Sequence, residues 1–550
     1  MGLRKHPVLK PLIAAAALLL ACLPAVAQSP RVISADYLQV KAPKSTTYRR
    51  VINAGRLEEG LRADWQEQLR VCKEAIGFDY LRCHGVLNDE LGVYSEDAKG
   101  NPVYNWQYID TVYDFLLSIH VRPFVEIDFM PQAMASIKSD PSVVPAAQLA
   151  HTKIVVPSFW WRANMTAPKS WPKWEALVKA LVQHWTDRYG AEEVSQWYFE
   201  VWNEPDYPTF FIPVHEEQRG NEYYTLYQHT AAAVKAVNAK YRVGGPATAY
   251  TTWISGFINA CYNNKVPLDF LSFHAYGIAE GAMAFDAKGN KRLYLDPNLD
   301  AVADKIHWQD GVIADSPMPH LPVHITEWSP SYSNNDPIHD SYFAAPYILN
   351  QLKQTEGLAS MAYWTFTDII EELGPPKLPY EGAYGLINLQ GIKKPAFFAY
   401  QFLNQLGDQE LTNSDPRSWV CRDDKGGVQA LIFDLTDPRG KSQDQDPIVF
   451  GKQLIPNPKP PVQLTLSSIP PGNYHLSIYR IGYNENDPYS AYLKMGAPTQ
   501  LSIAQVKQLK SLAAGAPSEE SDISISTSGK WQHDVAMHDN EVVLVTLVPR

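Results

Sequence analysis

The sequence predicts an α/β chain, a (β/α)8 TIM barrel joined to a C-terminal β-sandwich. Three observations point there. Between residues 49 and 408, short apolar runs alternate with amphipathic segments whose apolar residues recur at three- and four-residue spacing. From residue 409 to 550 the helical period gives way to β-rich stretches separated by Pro/Gly turns. Polar and aromatic residues also gather at the ends of the apolar runs, where a barrel places its active site. A doubly wound open sheet is the alternative for the alternating part, and eight strand–helix units argue against it.

The elements follow in order. Residues 1–27 carry a basic start (Arg4, Lys5, Lys10), an apolar core from Leu12 to Leu20 that is too short to span a bilayer, and Ala25-Val26-Ala27 as a cleavage site. This is an export signal, which makes the mature protein periplasmic or secreted. The stretch Leu19-Leu20-Ala21-Cys22 is also a passable lipobox, so a lipid anchor on Cys22 is the lesser alternative. Residues 28–48 precede the barrel and are expected to add a strand to the sandwich. The eight barrel strands are "RRVINAG", "DYLRCHG", "RPFVEID", "WYFEVWNEP", "YRVGGPAT", "DFLSFHAYG", "PVHITEWS" and "SMAYWTFTD". A last helix is expected around Pro395 to Leu406. In the sandwich, "GGVQALIFDLTD", "PPVQLTLSSIPPGNYHLSIYRIG" and "NEVVLVTLVP" read as strands. "DPRGKSQDQDP" reads as a polar loop and "GAPSEESDISISTSG" as an exposed, mobile one.

Composition narrows the function. The net charge of −11 argues against a nucleic-acid partner, and 15 Trp, 30 Tyr and 19 Phe favour sugar rings, which stack on aromatic faces. No apolar segment after the signal is long enough to cross a membrane. Cys72, Cys83, Cys261 and Cys421 show no metal-ligand spacing, and their wide separation fits buried thiols at least as well as disulfides. The strand ends supply His84, Glu126 or Asp128, Asn203, Glu204, His274, Tyr276, Glu327 and Trp364. Glu204 and Glu327 end the fourth and seventh strands, from which a closed ring can aim both into one cleft. Retaining glycoside hydrolysis needs such a pair about 5–5.5 Å apart, one carboxyl protonated and one ionised. Glu204, beside Asn203, suits the acid/base. Glu327 suits the nucleophile. Glu126 and Asp128 are read as structural, and the "NMT" at Asn164 as a glycosylation match without meaning.

"WYFEVWNEP" together with "PVHITEWSPSYS" resembles glycoside hydrolase family 39, which contains β-xylosidases and α-L-iduronidases. "LRADWQEQL", "LRCHGVLND", "YIDTVYDFLLSIHVRPFVEIDFMP", "DFLSFHAYG", "YWTFTDIIEE" and "YRIGYNENDPYSAYLKMG" are similar to it as well. The resemblance implies a sugar subsite lined by His84, Asn203, His274, Tyr276, Tyr332, Trp364 and Glu371, with Trp160 and Phe210 as walls. It implies an exo-acting retaining hydrolase of oligosaccharides, foremost a β-xylosidase, that uses no cofactor or metal. An arabinoside, β-glucoside, β-galactoside or α-L-iduronide is the alternative substrate. An iduronidase must neutralise a substrate carboxylate, and no obvious Lys or Arg stands at a strand end for that. One departure is Asp206, where the family more often has Asn. A non-catalytic carbohydrate-binding barrel would be expected to have lost a carboxylate. A metal-dependent hydrolase would show a His-x-His pair on its strands, and neither sign is present.

Overall fold

The computed structural model describes residues 31–137, 159–161, 163–285, 291–439 and 449–550. The expected signal and Cys22 lie outside the described residues, as does most of the polar loop at 437–447.

Eight parallel strands close a barrel: Val51–Arg56, Tyr80–His84, Arg122–Ile127, Tyr198–Val201, Arg242–Thr248, Phe270–Tyr276, Val323–Ser329 and Ser360–Tyr363. They are barrel strands 1 to 8, and each pairs with its sequence neighbours, strand 8 returning to strand 1. A helix follows every strand, from Ala63–Ile76 after strand 1 to Pro395–Asn404 after strand 8. The strands read as apolar runs because helices cover their outer face and side chains fill the inside.

Side chains in a strand alternate, so every second residue meets the barrel interior. Tyr80, Phe124, Tyr198 and Phe270 form an aromatic floor with Val51 and Ala362. Two residues on, Arg82, Glu126, Glu200 and Asn53 form a charged middle layer. Two further on lie His84 and His274, at the rim. The floor excludes water from below, which leaves the middle layer fully buried.

Residues 31–43 run as Val32–Asp36 and Val40–Pro43 and enter two sheets of the C-terminal region. Val32–Asp36 pairs with Pro458–Ser467 in a three-stranded sheet, in parallel, whereas an antiparallel sandwich was expected. Val40–Pro43 edges a seven-stranded sheet that continues through Gln409–Leu411, Ser418–Arg422, Val428–Phe433, Val542–Pro549, Gly472–Ile481 and Glu519–Ile525. One face of this sheet (Val420, Ala430, Ile432, Val543, Val545) packs on the smaller sheet. Its other face (Trp419, Leu431, Phe433, Leu544) belongs to the same core as the barrel. With both faces covered, "VQALIF" and "VVLVTLV" carry almost no polar residue.

The sequence reading misses two features of this region. The stretch 515–529, expected as a mobile loop, contains the strand Glu519–Ile525, paired with Gly472–Ile481. It is an edge strand, so its outward residues are acidic or serine while Ile525 is buried. Helices Pro488–Lys494 and Ile503–Leu512 also interrupt the sheet. The first is capped by Asp487, which accepts from Ser490 N–H at 3.1 Å, and it sets Tyr489 and Tyr492 against Tyr380 of the barrel. The four cysteines Cys72, Cys83, Cys261 and Cys421 are buried free thiols.

Candidate active site

Strand 4 ends at Val201, and the chain then turns with left-handed backbone at Trp202 and Glu204, φ 69° and 45°. Such conformations are unfavourable for non-glycine residues and persist only where the surroundings impose them. Here Glu204 N–H donates to Ala247 O at 2.9 Å, which ties the turn to the end of strand 5. Asp206 adds a second tie, accepting from Ala249 N–H (2.8 Å), Tyr250 N–H (3.2 Å) and Thr252 Oγ1 (2.7 Å). An ionised carboxylate accepts on both oxygens and has no N–H to misplace, so Asp suits this position in the chain.

Glu204 and Glu327 face one another across the mouth. One carboxylate oxygen from each and a ring nitrogen of His274 all lie within 4.8 Å. His274 Nδ1 is 2.8 Å from Glu204 Oε1 and 3.5 Å from Glu327 Oε2. Tyr276 OH donates to Glu327 Oε2 at 2.7 Å, and Arg82 Nη1 donates to Glu327 Oε1 at 2.9 Å. His84 Nε2 stands 3.8 Å from the same oxygen, its Nδ1 held by Glu126 at 3.0 Å.

The two carboxyls are biased differently. Burial raises both, but Glu204 is driven well above the usual range, because the charges of Glu327 and Asp206 add to its burial. For Glu327, burial is opposed by the Arg82 guanidinium, His84 and the Tyr276 hydroxyl. The pair therefore shares its proton unequally: Glu204 holds it and Glu327 carries the charge. Burial lowers His274 well below its ordinary value, so it is a neutral ring between them.

Arg82, which the sequence reading passes over, organises the layer below. It is fully buried and donates to Glu200 Oε2 (2.5 Å), Glu327 (2.9 Å) and Asn203 Oδ1 (3.1 Å), with Glu126 Oε2 3.2 Å away. Its hold on Oδ1 leaves the amide N–H2 of Asn203 to face the cavity. A signal was present: Arg82 sits two residues before His84, on the same face of an otherwise apolar strand. Glu126 and Asp128 stay beneath the site, Asp128 Oδ1 accepting from Gly85 N–H at 2.6 Å.

A cavity of about 490 Å³ opens above the dyad. It is lined by His84, Asn203, Glu204, Phe210, His274, Tyr276, Glu327, Tyr332 and Trp364 of the predicted residues. Two predicted residues stand elsewhere. Glu371 is drawn away by Arg56 (2.7 Å) and Arg62 (3.1 Å), and its neighbour Glu372 lines the cavity instead. Burial pushes the Glu372 carboxyl up to about 7. Trp160 is 56% exposed outside the cavity, and Phe159, stacked on Phe210 at 5.2 Å, forms the wall expected of it. Tyr207, Tyr250, Lys305 and Tyr384 also line the cavity and were not anticipated. Arg56 is an arginine at a strand end after all, but Glu58 (3.1 Å), Glu90 (3.3 Å) and Glu371 already neutralise it. Asn164 of the "NMT" motif is buried, donating to Gln132 and Ile137.

A closed barrel that holds a protonated and an ionised carboxyl this close has the arrangement of a glycoside hydrolase. Comparison with known proteins is specific about which. The family model for glycosyl hydrolases family 39 matches residues 36–532, and the chain belongs to that family. A β-xylosidase of Geobacillus stearothermophilus is 37% identical over 415 residues, 74% of this chain and 78% of that protein. A β-xylosidase of Caldicellulosiruptor saccharolyticus is 32% identical over 495 residues, covering 88% and 92%. Among solved structures, the family 39 enzyme of Xanthomonas axonopodis pv. citri superposes with a TM-score of 0.87 at 36% identity, over 95% of this chain and 98% of that one.

Proposed function

We propose that this glycoside hydrolase is an exo-acting retaining β-xylosidase that releases xylose from the ends of xylo-oligosaccharides. The observation that carries the mechanism is the separation of Glu204 and Glu327, whose nearest carboxylate oxygens lie within 4.8 Å. That spacing fits direct attack better than a water held between the carboxyls, for which the two groups stand about 6.5–9.5 Å apart. Glu327 attacks the anomeric carbon while Glu204 protonates the departing oxygen. Water, deprotonated by Glu204, then releases the sugar from Glu327. The Asn203 amide is placed to donate to the 2-hydroxyl of the bound sugar, and Arg82 keeps it in that orientation. The cavity draws residues from seven of the eight barrel positions, all but strand 1, which supports capture of a chain end over a running groove.

The choice of xylose rests on the β-xylosidases at 37% and 32% identity. Trp364 and Tyr384 on the wall beside the nucleophile, with no lysine or arginine among the described lining residues there, speak against an iduronide. With the leader at residues 1–27, action outside the cytoplasm is part of the same proposal. A panel of 4-nitrophenyl glycosides tests the reading: β-xyloside should exceed α-L-arabinoside, β-glucoside, β-galactoside and α-L-iduronide in kcat/KM. A different leading sugar would contradict it.

A further inference from the structure

Three carboxyls, Glu204, Glu327 and Glu372, line the cavity. Among the described lining residues a single lysine or arginine joins them: Lys305. It comes from the helix Ala301–Ala314, is half-buried, and donates from Nζ to Tyr276 O at 3.0 Å, with Ile278 O at 3.5 Å. One helical turn on, Gln309 donates to the carbonyl of Thr251. The same helix face thus holds the end of strand 6 and the loop after strand 5. An ammonium has three N–H donors, and two are directed to these carbonyls. The third remains for a ligand, and no carboxylate among the described residues pairs with Lys305.

Its place in the cavity says which part of a substrate it meets. Glu327, Glu372, Trp364, Tyr384 and His84 occupy the side of strands 7, 8 and 2, where the nucleophile meets the sugar under attack. Glu204, Tyr207, Phe210, Tyr250 and Lys305 occupy the side of strands 4, 5 and 6. The leaving group departs towards the proton donor Glu204, so Lys305 stands beside the leaving group. A substrate anion would be repelled by the ionised Glu327 unless a fixed cation met it.

We propose that Lys305 binds a carboxylate carried on the leaving-group side, as in a uronic-acid-substituted oligosaccharide, and favours acid-decorated chain ends. This rests on the β-xylosidase reading. The test uses 4-carboxyphenyl β-xyloside and its methyl ester, which differ in one charge and in leaving-group acidity, so each result is read as a change in the acid-to-ester ratio. Wild type should lose its preference for the acid over the ester as salt is raised. In Lys305→Gln, kcat/KM for the acid should fall roughly 5- to 30-fold more than for the ester. Lys305→Arg should restore the preference. Equal losses on both substrates, or a wild-type preference indifferent to salt, would overturn the proposal and leave Lys305 as a loop anchor. If wild type hydrolyses neither xyloside but does hydrolyse another aryl glycoside, the β-xylosidase reading has failed and this proposal with it.

Discussion

The protons of three carboxyls decide how the rate responds to pH. Glu204 must be protonated and Glu327 ionised, and burial raises both, Glu204 further. A raised acid keeps its proton below its folded value and loses it as pH rises through that value. The alkaline limb of kcat/KM therefore belongs to Glu204, and the acid limb to Glu327. Glu372 is a rival for the alkaline limb, since it titrates at about 7 in the same cavity. On an aryl glycoside with a good leaving group, Glu204→Gln should remove the alkaline limb and Glu372→Gln should keep it. The reverse pattern would assign the limb to Glu372. Glu204 and Glu327 were legible because each ends a strand beside polar or aromatic residues. Glu371 was chosen over Glu372 because adjacent acids look alike in sequence. Only the fold brings Arg56 and Arg62 to one of them.

At the scale of an element, the segment 382–385 after strand 8 is held by a buried triad. Lys394, just before the helix Pro395–Asn404, lies 2.7 Å from both Asp340 and Asp368, and its Nζ donates to Ala383 O at 2.8 Å. Asp340 accepts from Gly382 N–H and Asp368 from Gly385 N–H, at 2.8 and 2.7 Å. Tyr384, between them, donates to Tyr332 O at 2.8 Å and packs against Trp364 on the cavity wall. Lys394→Met would leave two buried carboxylates without a counter-charge, at a cost of about 3–5 kcal/mol. In an Asp340→Asn/Asp368→Asn background the same change should cost far less, a coupling that urea midpoints can measure. Independent, additive losses would mean that the three do not act as one unit. The barrel strands and helices were legible from their two periods. The strand Glu519–Ile525 was not, because an exposed edge needs little apolar surface and its partner residues lie roughly 40 to 50 positions earlier in sequence.

Across the whole molecule, barrel and sandwich share a core. Trp419 Nε1 donates to Glu356 Oε1 at 2.6 Å, Lys353 lies 4.6 Å over the same ring, and Lys353 also pairs with Glu410 at 2.7 Å. The segment 31–43 crosses from the barrel's start into both sheets. Calorimetry should therefore show one cooperative unfolding transition, and the chain cut after residue 408 should not fold, with Tyr380 and Phe402 left uncovered. Two separate transitions would contradict this. The central claim, a retaining dyad built by strands 4 and 7, is tested most directly by proton NMR in the first minutes of hydrolysis of a β-xyloside. Attack by Glu327 opposite the leaving group, followed by water on the face the leaving group vacated, predicts β-xylose first, with the α-anomer growing in only by mutarotation. Initial release of α-xylose would contradict the account.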